Sequence, residues 1–330
     1  MHEIGLIGSG FIAGSHANAY ASIDDAEIVA IASKEDTTEF ADQWAPDAAL
    51  FDGTETLVDE VDPDVVDVCV PTSEHRTVVE TAVDRGYDTL CEKPMARTLA
   101  DAQAMADVVE AQAVTFMVGH LLRFFPQYRR TREIVNEGGI GDPAVVNASR
   151  IGPYPAHAWN NWFADVEQSG GVLLDLCIHD FDYLRWLLGD VERVYTQSVR
   201  WRDERKLLEH AVVLLRFESG AVAHVTGSWA QPDERPFSFS LDVAGEDGLV
   251  EYDADDAASF EWYADEERGR EPVTGIDPVQ EEIEHFLDCV DSGTTPDITV
   301  EDAIEAMRVS LAAIESSERG EPVAVSEVTA

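Results

Sequence analysis

Through the first 120 residues, short β-branched and apolar runs alternate with amphipathic segments. "EIGLIG" (3–8), "EIVAIAS" (27–33), "VVDVCVP" (65–71), "YDTLCEKP" (87–94) and "AVTFMVGH" (113–120) each read as a strand. Between them, Glu74 to Arg85 carries apolar residues at helical spacing and is stopped by Gly86, and the helix from Thr98 to Ala111 opens with Thr98 as its N-cap. Strand and helix in this alternation predict an α/β fold, a doubly wound parallel sheet with ligands at the carboxyl ends of its strands.

The pattern then changes. Helices are expected over about 127–137 and 173–188, followed by the strand-like runs "VYTQSVRW", "HAVVLLRF", "AVAHVTGSW" and "FSFSLDVAG". "ESGA" between two of these runs is a hairpin signal, and helices over about 278–291 and 300–317 close the chain. The second part therefore reads as an α+β unit with an open, mostly antiparallel sheet faced by helices. Two domains are predicted, a dinucleotide-binding unit at 1–121 and a substrate-binding and oligomerisation unit at 122–330, with no repeat and no low-complexity linker.

Composition narrows the function classes. The 330 residues carry 22 Lys and Arg against 66 Asp and Glu, a formal charge of −44. Such an excess, shared by both halves of the chain, repels phosphate backbones and anionic lipid, which argues against nucleic-acid and membrane-surface roles. The acids are dispersed and form no calcium-loop pattern, so they read as a solvated surface suited to high salt. Cys69, Cys91, Cys177 and Cys289 lack CxxC spacing and read as reduced thiols. The sequence has no long apolar stretch and no leader pattern, so a cytoplasmic location is expected. Only three lysines survive, Lys34, Lys93 and Lys206, and one of them stands in "TLCEKPMA" at the end of a strand.

Three places carry chemistry. In "IGLIGSGFIAG", Gly8, Gly10 and Ala13 satisfy G-x-G-x-x-G/A between a strand and a helix, the geometry that lets a pyrophosphate sit on a helix N-terminus. At the end of the second strand, where an acid would hold a ribose 2′-OH, the chain has Ser33 and Lys34. A hydroxyl and an ammonium suit a 2′-phosphate, so NADP is favoured with NAD as the alternative, although Glu35 and Asp36 follow. In the second part, Asp175 and His179 lie four apart on one expected helix, a spacing open to a carboxylate-oriented general base, a helical ion pair or metal ligands. "GPYPAHAWNNWF" (152–163) adds His157, Trp159, Asn160, Asn161 and Trp162, which suit either a polyhydroxylated ring or a hydrophobic plug.

The order of Gly8-Ser9-Gly10-Phe11-Ile12-Ala13, "VPTSEH" at 70–75, "CEKP" at 91–94 and "GGxxxDxxxH" at 170–179 resembles the Gfo/Idh/MocA oxidoreductases, from the first strand to the closing helices. The resemblance implies a Rossmann domain followed by an α/β domain with an open mixed sheet, assembly as a homodimer or homotetramer through that sheet, and NAD(P)-dependent oxidation of sugar or cyclitol hydroxyls. It makes Lys93 the active-site lysine, His179 the proton acceptor and Asp175 its helper, with no metal. It assigns cofactor contacts to Gly8, Gly10, Phe11, Ile12, Ser33, Lys34, Pro71, Thr72, His75, Glu92, Lys93, Pro94 and Arg123, and places His120 near the nicotinamide end. Redox-inactive cofactor sensors and nicotinamide-dependent glycosidases of the same family remain the alternatives.

The charge generates a first prediction. At about 1 M salt the Debye length falls to about 3 Å. Unfolding temperature and activity should therefore both rise on adding molar KCl; a protein equally stable in dilute buffer would end the high-salt reading.

Overall fold

The computed structural model describes residues 1–156, 158–203, 206–255, 259–264, 267–273, 275 and 277–330. The first sheet contains β1 (His2–Ile7), β2 (Ala26–Ala32), β3 (Ala49–Phe51), β4 (Val65–Val68), β5 (Asp88–Glu92) and β6 (Phe116–Gly119). Between them run α1 (Phe11–Tyr20), α2 (Thr38–Trp44), α3 (Thr54–Glu60), α4 (His75–Val83) and α5 (Leu99–Ala111). The strand order is β3-β2-β1-β4-β5-β6 and every pair is parallel. All four residues of β4 are buried, because helices cover both faces, and the strand accordingly reads as a near-continuous apolar run. The Thr98 hydroxyl does accept from the Asp101 N–H, as the expected N-cap. β3 was not anticipated: it is three half-exposed residues at the sheet edge, too short to carry a pattern.

The second unit comprises α6 (Pro126–Asn136), β7 (Pro143–Pro153), α7 (Val166–Ser169), α8 (Gly171–Asp175), α9 (Ile178–Leu188), β8 (Val191–Asp203), β9 (Lys206–Phe217) and β10 (Val222–Gln231). It continues with β11 (Ser238–Gly245), β12 (Gly248–Asp253), β13 (Ser259–Ala264), β14 (Glu267–Pro272), α10 (Pro278–Ser292), α11 (Val300–Arg319) and β15 (Val323–Ala324). The nine strands are ordered β14-β13-β12-β11-β7-β10-β9-β8-β15, antiparallel throughout except for β7 against β10. The β9–β10 hairpin turns at "ESGA" as the sequence indicated. The sequence reading missed β7, whose inward positions Val146, Ala148 and Arg150 include a cation, and the charged edge strands β12 to β14.

Residues on one face of β9 are buried in strict alternation, and α8 and α11 pack on that side of the sheet. The other face is open: Val145, Leu214 and Val222 are exposed and line a shallow apolar groove.

The cores do not follow the split at residue 121. Ile283, Phe286 and Leu287 of α10 join a core cluster with Ile4, Leu6, Ala13, Ala17 and Tyr20, so α10 packs on α1 and completes the core of the first unit.

Arg123 also ties the parts together. It lies in a 3₁₀ turn (Leu121–Phe124), and its Nε and Nη2 donate to the two oxygens of Asp182 on α9 at 2.9 and 2.5 Å. Nη1 donates to the Asp297 carbonyl and to Asp302. Four of its five N–H groups are thus engaged within the protein, and the residue is only 2% exposed. This geometry gives Arg123 a structural role, beside the cofactor contact that the family resemblance implies for it. Arg123→Met would leave the fully buried Asp182 without its cation and should lower unfolding free energy by about 3–5 kcal/mol in urea titrations. Adding Asp182→Leu should restore more than half of that loss; an Arg123→Met chain as stable as the parent would contradict the structural role.

Candidate active site

The dinucleotide fingerprint folds as the sequence requires. Gly8 has φ +120°, and a Cβ there would lie 2.3 Å from the Cys69 carbonyl oxygen, so no other residue fits between β1 and β4. Gly10 is the N-cap of α1, and a Cβ on it would meet nothing within 4 Å, leaving the turn open to an approaching pyrophosphate. The first-turn amides of α1 and the exposed Phe11 and Ile12 border that opening. Ala13 is fully buried against the sheet. Ser9 Oγ donates to Ser33 Oγ at 3.0 Å, joining the fingerprint turn to the end of β2. These features fit a dinucleotide, whose phosphates the α1 amides would hold.

Lys34 lies beside this opening but pairs with Glu74 at 2.6 Å, and its side chain is 65% exposed. Pro71 and Thr72 form the loop after β4, with Thr72 buried. His75 takes a supporting place: it is buried, and its Nδ1 and Nε2 lie 2.9 Å from the Pro94 and Val70 carbonyl oxygens. It braces the β4 loop against the β5 loop.

Lys93 leaves the carboxyl end of β5, followed by a cis peptide to Pro94. Its Nζ donates to Asp175 Oδ1 at 3.1 Å and to the Asp175 carbonyl at 3.0 Å. Both side chains are nearly buried, 13% and 11% exposed. Burial raises the Asp175 carboxyl above its usual value, and the Lys93 charge offsets part of that rise. A lysine ammonium has three donors, so two on Asp175 leave one for another oxygen.

The expected single helix carrying Asp175 and His179 is broken. α8 ends at Asp175, the Leu176 and Cys177 amides both donate to the Val172 carbonyl at 3.1 and 2.9 Å, and α9 begins at Ile178. The Cys177 bond spans five residues, a π-type widening that throws Asp175 out of register with His179. Among the described residues Asp175 makes no bond to His179; its carboxylate serves Lys93. The anticipated boost to His179 basicity is therefore absent. Burial, with the charges of Lys93, Arg150 and His120, instead holds the His179 ring well below the usual imidazole value. Among the described residues its Nδ1 is buried without a protein partner, as are both ring nitrogens of His120. Burial, then Arg123 and Lys93, lowers His120 against the pull of Asp182. Two neutral imidazoles beside one ammonium leave unpaired polar atoms around the site, the condition that a hydroxylated ligand would satisfy.

Glu209 and His16 were not anticipated. Glu209 Oε2 accepts the Val172 amide at 2.9 Å and its other oxygen pairs with Arg200, so a buried carboxylate anchors the start of α8. Gly170 and Gly171 have φ near +73° and +71°, and a Cβ on Gly171 would be 2.6 Å from Glu209. The signal was present: Glu209 occupies an inward position of alternating β9. His16 likewise sits on the apolar stripe Ala13, His16, Ala17, Tyr20 of α1. None of Lys93, Asp175 and His179 belongs to the metal-competent group found among the described residues, which is His16, Asp67 and Cys69.

The loop leading to α7 holds Trp162 stacked on Phe163 at 4.1 Å, Phe163 edge-on to Trp229, and Tyr154 O–H donating to Asn161 Oδ1 at 2.7 Å. The hydrophobic plug accounts for these aromatic contacts. Asn160 and Asn161 adopt left-handed φ of 48° and 53°; His157 lies outside the described residues.

Comparison with known proteins places the chain in a family. Residues 2–120 match the oxidoreductase family with an NAD-binding Rossmann fold, and residues 128–251 match the GFO/IDH/MocA C-terminal domain. The chain is 30% identical to myo-inositol 2-dehydrogenase of Thermotoga maritima, covering 99% of each chain. It is 29% identical to D-xylose 1-dehydrogenase (NADP(+)) 2 of Haloferax volcanii, over 90% of this chain and 91% of that one. An oxidoreductase from Agrobacterium radiobacter, solved with NAD⁺, L-tartaric acid and magnesium, superposes with a TM-score of 0.90 at 23% identity, covering 99% of each chain. With both halves matched and a relative aligned end to end, this chain belongs to the Gfo/Idh/MocA family of oxidoreductases.

Proposed function

We propose that this protein is an NAD(P)-dependent dehydrogenase that oxidises a secondary hydroxyl of a sugar or cyclitol. The observation that carries the reading is the Lys93–Asp175 pair, set with a neutral His179 beside the open end of a dinucleotide fingerprint. The cofactor, when bound, supplies the hydride acceptor. The third donor of Lys93 holds the substrate oxygen and stabilises the negative charge that grows on it. His179, kept unprotonated, accepts the hydroxyl proton, and Asp175 fixes where the ammonium points. The named activities of the relatives support this class of substrate.

NADP is the preferred cofactor in this reading, because neither Ser33 nor Lys34 is the acid that would select a ribose 2′-OH. The Lys34–Glu74 pair is exposed and worth at most about 1 kcal/mol, so a 2′-phosphate can take over the ammonium. The open apolar groove across β7, β9 and β10 supports assembly with a second copy of the chain.

Mixing the protein with inositols and aldoses, with NADP and NAD in parallel, should raise absorbance at the reduced-nicotinamide band, more efficiently with NADP. Lys93→Arg should bind cofactor within about tenfold of the parent yet lose about a hundredfold in kcat, because a guanidinium cannot place its donors as an ammonium does. Binding without net reduction across the panel would favour the sensor or glycosidase readings.

The pH profile tests His179. Its lowered pKa means that the accepting form is complete at neutral pH and is lost only as pH falls below the ordinary imidazole value near 6.5. The acid limb of kcat/KM should thus lie below pH 6.5 and disappear in His179→Asn. An acid limb centred above neutrality would instead mean a base strengthened by a partner.

A further inference from the structure

Behind the reacting groups lies a buried polar cluster to which the mechanism gives no role. His16 Nδ1 is 2.8 Å from Asp67 Oδ2 on β4, and Nε2 is 3.2 Å from Glu92 Oε1 at the end of β5. The imidazole is 2% exposed and the Asp67 side chain fully buried. The other Glu92 oxygen accepts the Lys93 backbone N–H at 3.0 Å. Around this chain of contacts stand the Cys69 thiol, 3.5 Å from Asp67, the hydroxyl of Tyr20 and the carboxyl of Glu282 from α10.

Two carboxylates flank one ring, so both nitrogens must donate, and the ring is an imidazolium. Burial disfavours that charge, but the Asp67 carboxylate outweighs it and holds the His16 pKa well above the usual value. Glu92 follows the same logic: burial alone would raise it, yet the His16 bond and charge bring it below its ordinary range. Burial, and then the neighbouring Glu92 charge, raise the Glu282 carboxyl well above its ordinary range. A metal ion is a poorer occupant. Tetrahedral zinc with bonds of about 2.0 Å would separate its nitrogen and oxygen ligands by about 3.3 Å. The His16–Asp67 separation of 2.8 Å is that of a shared proton.

The Glu92–Lys93 contact is local and fixes nothing by itself, since the side chain and the amide it accepts are neighbours in sequence. The backbone of Glu92 pairs with β6, but among the described residues the side chain's one long-range hydrogen bond is to His16, 76 residues away in sequence. We infer that His16 is a positioning residue for Lys93: its ring fastens Glu92 to the central strand β4, Glu92 fixes the Lys93 amide, and the ammonium is thereby aimed at Asp175 and the substrate oxygen. The catalytic consequence rests on the dehydrogenase reading; the placement of Lys93 does not.

The scarcity of lysine makes this measurable without any substrate. Trace acetylation followed by peptide mass spectrometry reports the reactivity of Lys34, Lys93 and Lys206 separately, and the first and last, 65% and 30% exposed, serve as internal references. In His16→Gln, Lys93 loosened from Asp175 should acetylate at least about threefold faster relative to both references, while cofactor affinity stays within about threefold and kcat falls about tenfold. A folded His16→Gln chain with an unchanged Lys93 ratio overturns the inference. If that variant does not fold, Glu92→Gln cuts the bridge at its other end, and the same ratio decides. A raised Lys93 ratio in a protein that reduces no cofactor would retain the positioning role and remove the dehydrogenase reading.

Discussion

The contact between Lys93 and Asp175 joins residues 82 apart in sequence and belongs to neither sheet alone. One partner ends a strand of the parallel sheet and the other ends a five-residue helix, so the site exists only where the two units are held in one register. A nearly buried pair of this kind contributes little net stability, since desolvation offsets most of its attraction. Its value is directional. Glu92 restrains the lysine from below, Glu209 anchors α8 from behind, and the glycines at 170 and 171 let the backbone pass close enough for that anchor.

The sheet order, the fingerprint turn and the closing helices were legible because each rests on a local pattern: a buried parallel strand, a glycine turn, an apolar stripe. Asp175 and His179 were expected to pair, and among the described residues the Asp175 carboxylate instead meets Lys93. Nothing in the spacing announces a hydrogen bond from Cys177 to Val172, and that single backbone choice decides whether the carboxylate meets the imidazole or the ammonium. Arg123 and His75 make structural bonds that spacing does not announce, since only packing says which way a side chain faces. His16, Glu209 and Arg150 share a signal that pattern reading discards, a charged residue on an inward position. His16 and Arg150 each have a buried carboxylate partner, Glu209 holds the Val172 amide, and each links elements distant in sequence.

Surface and interior use charge in opposite ways. The surface excess of acid is diffuse and answers to ionic strength, whereas the buried cations Lys93, Arg123, Arg150 and His16 each face a specific carboxylate. Water and salt screen the first population and hardly reach the second. Raising salt can therefore relieve repulsion across the outside without dissolving the pairs that set the site.

The seat of α10 on α1 limits how this molecule can be taken apart. A fragment ending after β6 would contain every strand of the nucleotide-binding sheet, yet it would present to water the apolar patch that Ile283, Phe286 and Leu287 cover. Such a fragment is a candidate for aggregation, not a free-standing cofactor module. An exchange of halves between relatives would have to carry α10 along with the dinucleotide unit, although more than 150 residues of chain separate them. The natural cut for recombination thus runs through space and leaves the first unit discontinuous in sequence.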